Sequence, residues 1–121
     1  LAGAVGKVFF AQQREDQALK IIGEHGLPQY TQHSIVNKQD YLAELDRVRR
    51  QGYALDEEEF LPGVKAVAVA VGNQRGLPLA IWVVGFADAM GRNAVSEIVA
   101  ETRRAASRLR DSLDRRSQDE S

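Results

Sequence analysis

The sequence has 121 residues, of which 44% are hydrophobic and 27% charged, and these values fit one globular domain. The formal net charge is −1, so its overall charge gives no reason to expect this chain to bind nucleic acid. No cysteine is present, which excludes disulfides and thiolate metal sites and is compatible with the cytoplasmic location that we expect. The opening LAGAVGKVFFA lacks a preceding basic segment, and we interpret it as folded structure rather than a signal peptide. Because the chain does not begin with Met, we expect an earlier region of the protein to be missing.

Three helices are predicted in the first half of the chain. The first covers about residues 4–11, and the second covers about residues 15–25 and ends before a Gly-Leu-Pro segment. After an extended or loop stretch, Asn37 has the side chain of a helix N-cap. Apolar residues then recur at helical spacing until Gly52, which is placed to end the third helix in the left-handed conformation.

A short strand is expected at residues 53–56, followed by a β-hairpin. The arms of the hairpin are residues 64–71 and 77–85, and the five-residue segment GNQRG is predicted to join them. If Val71 faces Leu77, then Ala66 faces Trp82 and Val64 faces Val84.

Side chains alternate between the two faces along each hairpin strand, and this alternation predicts which residues share one face of the sheet. Ala66, Ala68 and Ala70 should share that face with Trp82 and Val84. Small side chains on one arm therefore leave room for the indole on the other. The arrangement suits either a packed core or the wall of a small pocket.

A long amphipathic helix is predicted over residues 93–116, followed by a polar tail at residues 117–121. The apolar stripe of this helix comprises Val95, Ile98, Val99, Thr102, Ala106, Leu109 and Leu113. We interpret the stripe as core or subunit interface. The opposite side carries arginines mixed with acidic residues, which favours a solvated face over a DNA-binding one. The order of elements predicts an α+β fold with a thin antiparallel sheet of about three strands.

Catalytic and metal-binding patterns are not found in the sequence. His25 and His33 lack metal-ligand spacing and are expected to be exposed, and no serine lies in a GxSxG motif. The segment Asp56 to Glu59 could supply a general base in an enzyme, but no partner group is recognisable, and the three glutamates are expected to form a solvated loop. We therefore predict a non-enzyme without metal or cofactor.

The spacing Gly3-x-x-Gly6-Lys7 at the start of the first helix allows two interpretations. Amides at a helix start, with the added charge of Lys7, could bind a carboxylate or a phosphate. A tight entry into the helix explains the glycines equally well.

Several linked segments resemble one family, the C-terminal effector-binding domain of IclR-type bacterial transcription regulators. They are GAVGKVFFA, GLPQYTQHSI, the block LAELDRVRRQGYALDEEEFLPGVKAVAVAV and the strand PLAIWVVG, in that order over about residues 1–113. The resemblance implies a GAF-like fold, with an antiparallel sheet between flanking helices and with N-terminal strands missing from this chain. It makes residues 1–116 a domain that senses a small-molecule effector, often a carboxylate. It also implies a missing N-terminal winged helix-turn-helix that binds DNA, a homodimer or homotetramer, and no membrane association.

The resemblance also implies the residues of the effector site. They are the backbone amides of Ala4 and Val5, the carboxylate of Asp56, and the strand positions Ala66, Val67, Trp82 and Val84. Family members that bind small oxo-acids have Cys in place of Ala66 and Ser near Trp82 and Val84. The loss of those polar groups predicts a more apolar or aromatic acid. The alternative is that Trp82 fills the pocket and that the domain is a structural dimerisation module without an effector.

Overall fold

The computed structural model describes residues 3–74 and 76–119, which form four α-helices and three strands. The helices are α1 Gly3–Ala11, α2 Glu15–His25, α3 Lys38–Gln51 and α4 Arg92–Asp119. The strands are β1 Ala54–Glu57, β2 Val64–Gln74 and β3 Leu77–Phe86, and a short 3₁₀ turn, Ala87–Ala89, follows β3. The α+β prediction is confirmed. Within these ranges no helix has the length and apolarity needed to span a membrane.

The ends of α3 form as the sequence predicts. The Asn37 side chain accepts hydrogen bonds from the backbone N–H groups of Gln39 at 2.8 Å and Asp40 at 3.2 Å. Gly52 ends the helix with φ 85° and ψ 9°, a left-handed conformation that glycine adopts without steric cost. α4 is longer than predicted, because it begins at Arg92 and remains helical through Asp119. The helix thus includes residues 117–119 of the predicted tail, while residues 120 and 121 lie outside the described residues.

The hairpin register differs from the prediction by two residues up to Ala70 and by three from Gly72 onward. The strands pair in the antiparallel order β1-β2-β3, with Ala66 opposite Val84 and Ala68 opposite Trp82. Gln74 pairs with Leu77, so the connection has two residues rather than five, and Arg75 within it lies outside the described residues. A shift of two keeps every side chain on its predicted face. The expectation that Ala66, Ala68 and Ala70 share a face with Trp82 and Val84 is therefore confirmed, although their pairing partners were wrong.

Two separate apolar cores cover the two faces of the sheet. On one face the α1–α3 helices pack over the small residues of β1 and β2, with Val8, Tyr41 and Leu45 buried at the centre. On the other face α4 packs over Val67, Val69 and Val71. Most of the predicted α4 stripe lies in this second core, whereas Leu109 is 41% exposed.

Candidate functional site

Three of the residues that the resemblance implies lie in one row across the sheet. Asp56 of β1 pairs with Ala66 of β2, and Ala66 pairs with Val84 of β3. Directly opposed residues in antiparallel strands point to the same side, so all three lie on the α1 face. The adjacent row on this face contains Ala54, Ala68 and Trp82.

Val67 does not join this group. It is fully buried and pairs with Leu55 and Val83 on the face that α4 covers. Successive residues of a strand point to opposite faces, so Ala66 and Val67 cannot line the same pocket through their side chains.

The N-terminus of α1 lies over the same row. Ala4 is 1% exposed, and Val5 is half-buried against the α1-side core. The backbone at Gly3 has φ 88°, and a Cβ placed on it would lie 3.5 Å from Oδ2 of Asp56. The first N–H groups of an α-helix have no partner within the helix, so the backbone amides near Ala4 and Val5 are donors close to this carboxylate.

One carboxylate oxygen of Asp56 accepts a hydrogen bond, and the other accepts none from the described residues. Its side chain is largely buried at 6% exposure, and Oδ1 accepts the backbone N–H of Glu59 at 2.8 Å. Within residues 3–74 and 76–119, Oδ2 accepts no hydrogen bond. A small molecule with a hydroxyl group could donate to this oxygen.

The β3 part of the α1 face is open. We use the name apolar shelf for Trp82, Val84 and Phe86, which are 58%, 46% and 77% exposed. Ala66 and Ala68, one strand away on the same face, are at most 3% exposed, so α1 covers β2 but leaves these three side chains of β3 exposed. The Trp82 indole is therefore not enclosed by the described residues.

Lys7 is buried and paired with two carboxylates, so it does not lie in an exposed anion site at the start of α1. It is 1% exposed, and its ammonium group donates to the carbonyl oxygen of Leu55 at 2.6 Å, to the carboxylate of Glu59 at 2.9 Å and to that of Glu44 at 3.3 Å. These three contacts use all the N–H groups of a lysine, so Lys7 has none left for a ligand anion. The expectation of a solvated glutamate loop is consequently wrong for Glu59, whose side chain is 13% exposed.

Both the sequence and the fold match a known family. The family model described as the C-terminal domain of the bacterial transcriptional regulator IclR matches residues 1–111. The chain belongs to the IclR family. The transcriptional repressor IclR of Escherichia coli K12 is 30% identical over 106 residues, which cover 87% of this chain and 39% of the repressor. This IclR-family domain thus spans well under half the length of that relative.

Solved structures confirm the fold assignment. An IclR transcriptional regulator from Alicyclobacillus acidocaldarius superposes with a TM-score of 0.83 at 30% identity, over 91% of this chain and 44% of that one. The inducer-binding domain of a double mutant of the PobR transcription factor from Acinetobacter, in complex with 3-hydroxybenzoic acid, superposes with a TM-score of 0.79 at 29% identity. That match covers 87% of this chain and 61% of the other. The predicted membership of the IclR family is confirmed.

A narrow cavity of this IclR-family domain lies beside the α1 N-terminus. It has room for about one water molecule and no organic acid. Its lining residues are Gly3, Lys7, Leu27, Pro28, Ser34, Ile35, Tyr41 and Glu59. Burial raises the pKa of Tyr41 above its ordinary value of 10.0, and the carboxylates of Glu59 and Glu44 raise it further. The cavity thus borders a buried polar cluster, and none of its lining residues belongs to the apolar shelf.

Metal and histidine chemistry receive no support from the described part of the chain. His25 and His33 are both exposed, and residues 3–74 and 76–119 contain no group of three metal-ligating side chains. The sequence reasoning did, however, miss Glu44 and Glu59 as partners of Lys7. They lie 37 and 52 residues from it, and no local pattern connects them.

Proposed function

We propose that this IclR-family domain binds a small aromatic hydroxy acid, and that binding changes the affinity of the full-length regulator for its operator DNA. The observation that carries the proposal is the position of the α1 N-terminus against Oδ2 of Asp56, above the row that leads to the apolar shelf. A donor, an acceptor and an apolar surface thereby share one face of the sheet. Binding sites for small molecules commonly combine a few polar groups with an apolar wall in this way.

The charges around the site determine how such a ligand would lie. Asp56 would repel a carboxylate placed directly against it, whereas the backbone amides near Ala4 and Val5 attract one. The carboxylate of the ligand therefore belongs on the α1 side. A hydroxyl group on the ligand donates to Asp56, which has no other donor at Oδ2 among the described residues.

The remainder of the ligand packs on apolar side chains. Ala66 lies between Asp56 and Val84 in this row but is buried, so the exposed faces of Trp82 and Val84 provide the accessible apolar surface. An aromatic ring on this surface gains burial and stacking against the indole. The PobR domain, whose solved complex contains 3-hydroxybenzoic acid, supports this ligand class by its similarity in fold.

Regulation of DNA binding would involve regions outside this chain. The matched relative is a transcriptional repressor more than twice as long as the matched segment. We propose that the full-length protein binds DNA through a winged helix-turn-helix, assembles as a homodimer or homotetramer and has no enzymatic activity. An effector shifts such a regulator between states only if it binds one of them more tightly.

Three matched compounds test the ligand proposal by thermal shift and calorimetry. 3-Hydroxybenzoate carries both polar groups, benzoate lacks the hydroxyl and 3-hydroxybenzyl alcohol lacks the carboxylate. We expect 3-hydroxybenzoate to bind most tightly. At about 100 times its Kd it should add about 2.7 kcal/mol to the free energy of unfolding, which raises Tm by about 10 °C.

Two variants locate the binding site. Asp56→Asn should weaken 3-hydroxybenzoate but strengthen benzoate, because the substitution removes the carboxylate that repels an acid without a hydroxyl. Trp82→Ala should weaken both acids. Leu109→Ala is the control, since Leu109 is an exposed apolar residue of α4 in the other half of the fold. Absence of binding by all three compounds would contradict the proposal and favour the structural dimerisation module.

A further inference from the structure

We propose that Lys7 and Glu59 are positioning residues of the effector site, whose buried ion pair holds the α1 N-terminus at a fixed place relative to the Asp56 carboxylate. The inference rests on the proposed function, because it concerns how that site discriminates among acids. Neither residue needs to touch the ligand. Lys7 acts through the start of α1, and Glu59 acts through the Asp56 carboxylate.

Lys7 ties α1 to the strand position next to Asp56. It lies four residues after Gly3, about one helical turn below the proposed amide donors. Its shortest hydrogen bond, 2.6 Å, is to the backbone carbonyl of Leu55, the residue immediately before Asp56. The contact therefore sets how far the start of α1 lies from the carboxylate.

Glu59 holds Asp56 from the other side. Its backbone N–H donates to Oδ1 of Asp56, while its carboxylate accepts from Lys7 and from the backbone N–H of Glu57 at 3.1 Å. The chain can turn back in this way because Glu58 adopts φ 61°, a conformation that non-glycine residues seldom take. A strained backbone that persists indicates that the surrounding contacts determine it.

Further bonds fix the same loop to the segment after α2. Thr31 donates its hydroxyl to the carbonyl of Glu58 at 2.6 Å, and Ser34 donates its hydroxyl to that of Glu59, also at 2.6 Å. The loop is thus fixed through three groups of Glu59: its side chain, its backbone N–H and its backbone carbonyl. Movement of Asp56 would require several of these bonds to break together.

Stability alone is a weak explanation for such a cluster. Replacing a buried ion pair by apolar residues of similar size is often neutral or stabilising, because burial of the charges costs desolvation energy. In some proteins buried charged or polar groups are retained because they fix one specific geometry. Lys7 and Glu59 connect the two polar elements of the proposed site, the α1 amides and Asp56, so the specificity concerns ligand geometry.

The decisive variant removes the ion pair without leaving an unpaired buried charge. In Lys7→Met/Glu44→Gln/Glu59→Gln all three charges are neutralised, and the amide oxygen that replaces the Glu59 carboxylate can still accept the N–H of Glu57. We expect this variant to unfold cooperatively, but its preference for 3-hydroxybenzoate over benzoate should fall at least tenfold. Glu59→Gln alone is a milder second variant with an expected loss of about threefold. An unchanged preference in the triple variant, or in Glu59→Gln if the triple variant does not fold, would overturn the proposal.

A matched control removes a different anchor of the same helix. Arg49 donates to the carbonyl of Ala11 at 2.7 Å, at the C-terminal end of α1, and pairs with Asp46 at 2.9 Å. Arg49→Met/Asp46→Asn should lower Tm without changing the ligand preference. An equal loss of preference in this control would show that loosening α1 anywhere has the same effect, which contradicts a specific role for Lys7.

Amide hydrogen exchange separates this inference from the proposed function. Without any ligand, the Glu59 amide should exchange at least tenfold faster in the triple variant than in the wild type, and the Arg49 control should leave it protected. If the wild type binds no acid but the Glu59 amide responds as described, the proposed function fails while the positioning of Asp56 stands. Unchanged protection in the triple variant overturns the positioning role itself.

Discussion

Tyr41 shows how the buried cluster affects a single titratable group. The residue is 3% exposed, its ring makes an edge contact with Phe10 at 6.3 Å between centroids, and Glu59 and Glu44 place negative charge near its hydroxyl. Burial and then these carboxylates raise its pKa above 10.0. Ionisation of Tyr41 is therefore more costly in the folded domain than in the unfolded chain.

This difference predicts a change in stability at alkaline pH. Because the unfolded chain ionises Tyr41 first, its contribution is complete below pH 10 and is lost as pH rises from 10 toward the pKa of the folded state. At pH 11 the loss from this residue should be about 1 kcal/mol. Urea unfolding of wild type and Tyr41→Phe tests it. The difference in unfolding free energy between the two proteins should be constant from pH 6 to 9. At pH 11 the wild type should have lost about 1 kcal/mol relative to Tyr41→Phe. A constant difference through pH 11 would contradict the assignment.

Residue-scale predictions from the sequence succeeded where the local pattern carries the information. Strand alternation placed Ala66, Trp82 and Val84 on one face, and the structure agrees. The partners of Lys7 were not predictable, because the bonds to Glu44 and Glu59 depend on three separate elements coming together. The face of Val67 follows from the same alternation, because its neighbour Ala66 points to the opposite side of the sheet.

At the scale of elements, the two ends of α3 are determined by single residues. Asn37 satisfies two of the backbone N–H groups that a helix start leaves without partners, and Gly52 supplies the left-handed residue at the end. Both positions were readable from the sequence because capping depends on the residue and its immediate neighbours. Helix α3 also carries Tyr41 and Glu44, so its ends indirectly place part of the buried cluster.

Removal of the Asn37 cap should therefore be measurable. Asn37→Ala should lower the free energy of unfolding by about 1 kcal/mol, because the N–H groups of Gln39 and Asp40 lose their acceptor. Asn37→Asp keeps the acceptor and should retain most of the stability. Urea denaturation of the three proteins provides the measurement. A loss as large in the Asp variant as in the Ala variant would show that the cap does not stabilise the helix.

The hairpin register could not be obtained from local sequence in the same way. The glycines of GNQRG suggested a five-residue loop, yet Gly72 lies within β2 at a bulge, with φ 126°. Arg110 of α4 packs there and donates to the carbonyl of Val71 at 2.6 Å, and a Cβ on Gly72 would lie 3.6 Å from its Nε. The positive φ accounts for the glycine, since a Cβ would make only an ordinary contact with Arg110. The bond from Arg110 comes from a distant helix and is a relation that the hairpin sequence does not contain.

At the scale of the whole molecule, the sheet separates stability from the proposed binding surface. The α4 face of β2 is covered by apolar side chains, whereas the α1 face becomes progressively exposed from β2 to β3. Asp56 and Ala66 lie at the covered end of their row and Val84 at its open end. A ligand on the open side would contact residues whose removal costs the fold little.

Two substitutions of the same chemical kind test this separation. Val67→Ala deletes a fully buried side chain from the α4 core and should lower the free energy of unfolding by about 2 kcal/mol, since two carbon groups are lost and a cavity remains. Val84→Ala deletes the same groups from a side chain that is 46% exposed, and its cost should be below about 1 kcal/mol.

The order of effects should reverse for ligand binding, because Val84 lies beside Ala66 on the proposed surface and Val67 lies on the opposite face. Chemical denaturation and calorimetry with 3-hydroxybenzoate measure the two quantities on the same samples. If Val67→Ala weakened the ligand as much as Val84→Ala at a temperature where both variants are folded, the α1 face would not be the binding surface, and the site would have to be sought in contacts that span both cores.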